Sequence, residues 1–216
     1  MENTQIISAA IAEINSPTFG VTKQFLEIHS VALEEGRPKI AGFTNSSNNL
    51  TAIFFAIEGE RFYLVVSIST ASSTLSVANV YVQEWNRISF HVTSETLNAQ
   101  QLAALTTLKP TETYNKGDRR KFGTFNYSYV EFEPCPEPGG FKVRLKYLLS
   151  FLEQEFSGVR ALVDQAEGYL RVISVFHNGN TMLGGLNLDK ECIQRMAALN
   201  LEIDFDLYAE GNVYKS

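Results

Sequence analysis

From residue 4 to residue 14 the apolar side chains Ile6, Ile7, Ala10, Ile11 and Ile14 recur every three or four positions. That spacing puts them on one face of a short amphipathic helix. After Pro17 and Gly20 the pattern turns to β-type residues over 24–33, then breaks at Glu34, Glu35, Gly36, Arg37 and Pro38, which predicts a surface turn. Residues 50–57 and 61–69 are two runs rich in Ile, Phe, Tyr and Val around Glu58, Gly59 and Glu60, and they read as a β-hairpin. A third run, 75–82, follows a Ser/Thr-rich connector. Residues 1–86 are therefore expected to form a helix packed on an antiparallel meander.

The alternation of Ile88, Phe90 and Val92 with Arg87, Ser89 and His91 opens a second module, 87–216, with a half-buried strand. Asn98 and Gln101 have the spacing of a capping box, and Leu97 and Leu102 can staple it, so a helix is expected to start there and stop before Pro110. Residues 127–133 alternate as a strand, and Pro134, Pro136, Pro138, Gly139 and Gly140 end it. Phe141, Leu145, Leu148, Leu149, Leu152 and Phe156 form the clearest helical stripe in the chain. A second helical segment follows Gly158 with Val159, Leu162, Val163 and Ala166.

Strands are expected at 169–177 and 181–186, joined as a tight hairpin by Asn178 and Gly179, a pair suited to positive backbone dihedrals. Asp189 is placed to cap a helix bearing Ile193, Met196 and Ala197, and Asn200 to close it in the left-handed conformation. The closing strand, 201–208, sets Leu201, Ile203, Phe205 and Leu207 against Glu202, Asp204, Asp206 and Tyr208. The fold class that results is α+β. Two split βαβ-like units in succession build a mixed or antiparallel sheet with helices on one face.

Charge narrows the partners. With 24 acidic against 18 basic side chains and a formal net charge of −6, the chain is a poor match for nucleic acid, whose phosphates demand a basic surface. A basic protein partner fits better, although excess carboxylates also serve solubility alone. Cys135 and Cys192 are the only cysteines and stand outside any zinc-ligand spacing, which is the pattern of a reducing, cytoplasmic setting. The apolar start at 6–11 lacks the basic region of a signal peptide, and no run approaches the roughly 18 to 20 apolar residues of a membrane span.

Catalytic chemistry finds little material. His29 and His177 stand in apolar strand-like runs, and His91 is an outward strand position. Each reads as a strand histidine. No phosphate-cradling glycine loop and no calcium loop occur, so neither a cofactor nor a metal is expected. Two groups of residues suit partner binding instead. Glu202, Asp204 and Asp206 project from one side of the last strand, where carboxylates two apart repel unless solvated or matched by cations. Lys116, Asp118, Arg119 and Arg120 crowd a polar surface loop whose guanidinium groups could take an anion. Phe125, Tyr127 and Tyr129 could form an exposed aromatic stripe, though alternating aromatics in a strand more often make cross-strand pairs.

The strand and helix of 87–107, the Lys109-Pro110-Thr111 segment and the Lys116-Gly117-Asp118 triplet resemble the start of an uncharacterised bacterial family, domain of unknown function 4279. The helix from Phe141, the Asn178-Gly179 pair and the closing strand agree with that likeness over about the last 120 residues. Some similar proteins look like immunity partners of bacterial toxins. Together with the acidity and the lack of catalytic groups, the resemblance leads to the expectation of a protein that binds and occludes a basic toxin domain. A small-molecule or peptide-binding regulatory module is the alternative, and an enzyme with an unrecognised site is a remote third.

Overall fold

Helix α1 (Asn3–Asn15) forms where the three-to-four spacing places it, and buries Ile6, Ala10 and Ile14. The protein is seen here as a computed structural model that describes residues 3–46, 49–72, 74–135, 138–179 and 185–215. Glu13, near the end of α1, is 97% buried, with 3% of its surface exposed. Its carboxylate accepts hydrogen bonds from the Thr18 and Phe19 backbone N–H groups and from the Thr18 and Thr22 hydroxyls. Thr18 and Phe19 lead into helix α2 (Gly20–Leu26), and Thr22 lies within it, where the sequence pattern suggested β structure from residue 24. The correction has a physical cause: the chain entering the helix is fixed by a buried carboxylate from another helix, which local propensity does not record.

The turn at 34–38 is a two-rung ribbon, β1 (Leu33–Glu34) and β2 (Arg37–Pro38), with Glu35 and Gly36 at φ 51° and 77°. The meander follows as an antiparallel sheet of β3 (Ile40–Ser46), β4 (Leu50–Ala56), β5 (Tyr63–Ser69) and β6 (Ser76–Gln83), in that spatial order. Strand β3 had no counterpart in the sequence pattern. Ile53, Phe55, Leu64, Val66 and Ile68 meet α1 and Phe25 of α2 in one apolar core.

The second sheet has the order β11-β10-β7-β9-β8, built from β7 (Trp85–Ser94), β8 (Glu112–Tyr114), β9 (Ser128–Phe132), β10 (Glu167–His177) and β11 (Glu202–Glu210). It is mixed: β10 runs parallel to β11 and antiparallel to β7. Helices α3 (Ala99–Ala103), α4 (Phe141–Leu152), α5 (Phe156–Gln165) and α6 (Lys190–Leu199) cover one face, against Ile88, Phe90, Val92, Val130, Phe132, Leu170 and Val172. The Asn98–Gln101 capping box forms, the Asp189 side chain caps α6 on the Cys192 N–H, and Asn200 closes α6 at φ 58°. The helical stripe ends earlier than its spacing implied. A 3-10 turn at Glu153–Glu155 rotates the chain, leaving Phe156 45% exposed.

The hairpin expected at Asn178-Gly179 would pair residues 181–186 along β10, and most of that returning strand lies outside the described residues. One edge of β10 is paired with β7 from Glu167 to Val175, and the other with β11 from Tyr169 to His177. From Tyr169 to Val175 both edges are taken, so no returning strand can pair there. Leu186 lies in no strand, and residues 180–184 of that expected strand fall outside the described residues. The parallel β10–α6–β11 crossover takes the place that the hairpin would have used.

Candidate open sheet face and acidic pocket

Residues of β7, β9, β10 and β11 that alternate away from the helices meet on the uncovered face of the second sheet. The ladder aligns Glu131, His91, Tyr169 and Glu202 across four strands. Next to that row stand Ser89, Arg171 and Asp204. Although no helix among the described residues covers this face, Ser89, His91, Tyr129 and Glu131 are all buried, with Arg87 against Glu131, Tyr169 against His91 and Tyr114 against Tyr129.

Glu131 is the centre of the buried cluster. Arg87 Nη2 lies 2.8 Å from its Oε1, the Tyr129 hydroxyl donates to Oε2, and His91 Nε2 stands 3.5 Å from Oε1. Burial pushes the Glu131 carboxyl up, but hydrogen bonds from His91, Tyr129 and Ser89 and the attraction of the His91 ring outweigh it and leave the group at about 2. The same environment drives the Tyr129 hydroxyl well above its ordinary value, through burial and then its bond to Glu131. Arg87 also holds Glu133 at 2.8 Å.

Ser89, His91 and Glu131 resemble the composition of a nucleophilic triad, but not its geometry. The Ser89 Oγ (2.9 Å), the Tyr129 hydroxyl (3.3 Å) and Glu131 all approach the same ring atom, His91 Nε2. A relay needs the nucleophile and the acid on opposite ring nitrogens. Ser89 is moreover only 2% exposed, so the cluster is a structural network.

The aromatic residues make a cross-strand stack rather than an open stripe. Tyr114 of β8 stacks on Phe125 with centroids 3.6 Å apart and on Tyr129 at 4.5 Å. This pins the loop after β8 against the sheet. Tyr127, 40% exposed, closes one side of a cavity of about 450 Å³ that is also lined by Thr93, Glu167, Tyr169, Glu202 and Asp204. Glu167 accepts from the Thr93 hydroxyl at 3.3 Å. Among the described residues, Glu167, Glu202 and Asp204 make no ion pair. Burial raises the Tyr169 hydroxyl, and although Arg171 opposes this, Tyr127, Asp204 and Glu167 add to it, so the ring presents a neutral hydroxyl beside three carboxylates.

The expected site residues thus separate. Glu202 and Asp204 line the pocket, whereas Asp206 is held by Arg171 at 2.7 Å. The cationic loop follows β8, at the opposite edge of the sheet from β11. At strand spacings near 4.8 Å the two edges are about 19 Å apart. Within that loop Asp118 is a turn residue, accepting from the Asn115 N–H at 2.7 Å, and Arg119 lies in an isolated bridge with Thr124. Arg120 reaches the Phe122 carbonyl at 3.0 Å, and Lys116 stands 3.9 Å from Glu95. Glu167, Tyr169, Arg87 and Glu131 escaped the sequence reading. A usable signal existed: Tyr127, Tyr129 and Glu131 share one strand parity, so a carboxylate sits among aromatics.

An α+β protein with one helix-covered sheet face and one open, polar face is the class these features define. The model of the family described as domain of unknown function (DUF4279) matches residues 83–210, more than half of the sequence, and the chain belongs to that family. No curated protein and no solved structure matches it. No helix among the described residues is long and apolar enough to cross a membrane.

Proposed function

We propose that this chain is an immunity-type protein of a bacterial toxin system, one that binds a basic toxin domain in the cytoplasm and occludes it without catalysis. The observation that carries the reading is the pocket of Glu167, Glu202 and Asp204 beside Tyr127 and Tyr169. Carboxylates that make no ion pair among the described residues, next to tyrosine faces, suit a lysine or arginine side chain from a partner. The net charge of −6 favours encounter with a basic surface and makes the association rate sensitive to salt. The free thiols of Cys135 and Cys192 agree with a reducing compartment.

A second reading, a regulatory module for a small cationic ligand or peptide, draws on the pocket's volume of about 450 Å³, which lies within the range of ligand sites. Fluorescence anisotropy with matched peptides rich in lysine, arginine or glutamate tests both. The expected result is salt-sensitive binding of the basic peptides, lost in Glu202→Gln/Asp204→Asn while thermal unfolding stays unchanged. Equally tight binding of free arginine amide would favour the regulatory module. Failure of every basic probe to bind at low salt would remove the pocket from either reading.

A further inference from the structure

His29, which follows α2, and His177, the last residue of β10, meet where the first layer, the second sheet and the C-terminal tail converge. Their Nε2 atoms are 3.0 Å apart, and the residues are 8% and 0% exposed. Phe25 lies 5.0 Å from the His29 ring and 5.5 Å from the His177 ring, while Phe62 is 5.3 Å and 5.0 Å away. Tyr214 closes the box 5.2 Å from His177.

The hydrogen-bond roles follow from one neighbour. The Asn212 backbone N–H points at His29 Nε2 from 3.3 Å, and a backbone N–H can only donate. His29 Nε2 is therefore an acceptor, and His177 Nε2 carries the proton that it donates to His29. Among the described residues, His177 Nδ1 is left as a buried lone pair with no hydrogen-bond partner. Neither ring has room to turn. A Cβ on Gly179 would stand 2.4 Å from His177 Cε1, and one on Gly211 would stand 3.0 Å from His29 Cε1 and 2.6 Å from Phe62 Cζ.

Every way of adding a proton damages this arrangement. On His29 Nε2, two N–H groups would face each other and the Asn212 N–H would lose its acceptor. On His177 Nδ1, the inter-ring bond would survive, but an imidazolium would sit fully buried among aromatic rings, with no acceptor for the new N–H among the described residues. Buried charge without a partner is strongly unfavourable. The surrounding groups do not reverse this, and burial outweighs the pull of the Asn212 backbone towards the charged forms. On the loop before Phe62, Glu60 favours the charged form of His29, and Arg61 is consumed by Glu210. On α2, Lys23 and the following Glu27 are exposed, and on the tail burial raises the Tyr214 hydroxyl so that it stays neutral in acid.

We propose that the His29–His177 contact is an acid-released latch, which joins the first layer to the second sheet at neutral pH and frees the tail at Asn212 and Tyr214 when protonated. The direction is set by burial, which holds both imidazoles below the ordinary 6.5; the His29 charge lowers His177 further. The unfolded chain takes up these protons near 6.5 and the folded chain only at lower pH. The contact therefore stabilises fully above about 6.5 and is lost as pH falls below it.

The test is histidine NMR titration combined with amide hydrogen exchange. In the unmodified protein both midpoints are expected below 6.5, and protection of the Asn212 and Tyr214 amides should fall several-fold between about pH 7 and about pH 5. A midpoint at or above 6.5 for either ring overturns the latch. The variant His29→Gln/His177→Phe keeps an acceptor for Asn212 and fills the box without a titrating group. Its tail protection is expected to be flat across the same range, and a tail that still opens in acid would also overturn the proposal. Should that variant not fold, the titration of the unmodified protein decides alone.

Discussion

Arg171 of β10 closes on Asp206 of β11 with its Nε and Nη2 at 3.0 and 2.7 Å from one carboxylate oxygen, bypassing Asp204, its own register partner. The three carboxylates that alternate along β11 are thereby divided. Asp206 is tied into the sheet, and that hydrogen bond holds the Arg171 guanidinium charged beyond its ordinary range despite partial burial. Glu202 and Asp204 are left for the pocket.

Asp204→Lys and Asp206→Lys should therefore behave differently. The first is expected to change stability by less than about 0.5 kcal/mol, as an exposed substitution, and to slow association with basic peptides. The second removes a pair whose side chains are 37% and 32% exposed and is expected to cost about 1 kcal/mol. Urea denaturation and stopped-flow binding measure both, and the reverse ranking would reassign the two residues.

Glu131→Gln should be the most damaging polar change on the open face. It strips a carboxylate that is 1% exposed from Arg87, His91 and Tyr129, for a loss of about 3 kcal/mol. The acid limb carries a second signature. The unfolded chain protonates this residue near 4.5 and the folded chain near 2, so its contribution is present above about 4.5 and lost as pH falls towards 2. The variant should lack that portion of acid denaturation, which a pH series of unfolding curves would reveal.

Leu149→Ala removes a fully buried side chain from the middle of the α4 face that packs on the second sheet. A loss of roughly 2 to 5 kcal/mol is expected. A loss under about 0.5 kcal/mol would mean that this face does not carry the core.

Gly158→Ala tests a close approach that helix propensity alone would misjudge. In an open helix the change would gain about 1 kcal/mol. Here the new Cβ would lie 2.8 Å from the Leu105 carbonyl oxygen and from Thr106, where α5 crosses the segment after α3. Net destabilisation is expected, and thermal unfolding that shows a gain would place α5 further from that segment.

Much of this fold was legible along the chain because short-range rules set it. The β4–β5 hairpin, the Asn98–Gln101 box, the α4 stripe and the Asp189 and Asn200 ends of α6 depend on residues within a few positions of one another. Where a long-range partner decided the outcome, the local signal misled or was silent. Helix α2 depends on Glu13 of another helix, and Phe156 left the stripe at a 3-10 turn.

The candidate sites divide along the same line. By itself the sequence determined the alternation of Glu202, Asp204 and Asp206 on one side of a strand, and a cluster of cations in one loop, because side-chain direction in a strand has a period of two. Only the tertiary structure decided that β11 lies parallel beside β10, and so that Arg171 meets Asp206, that Glu202 and Asp204 share a pocket with Tyr169, and that the cationic loop sits at the far edge. His29 and His177, 148 positions apart, meet for the same reason. Strand order is chosen by the burial of two whole apolar faces, an energy summed over the entire chain, and no local window of sequence contains it.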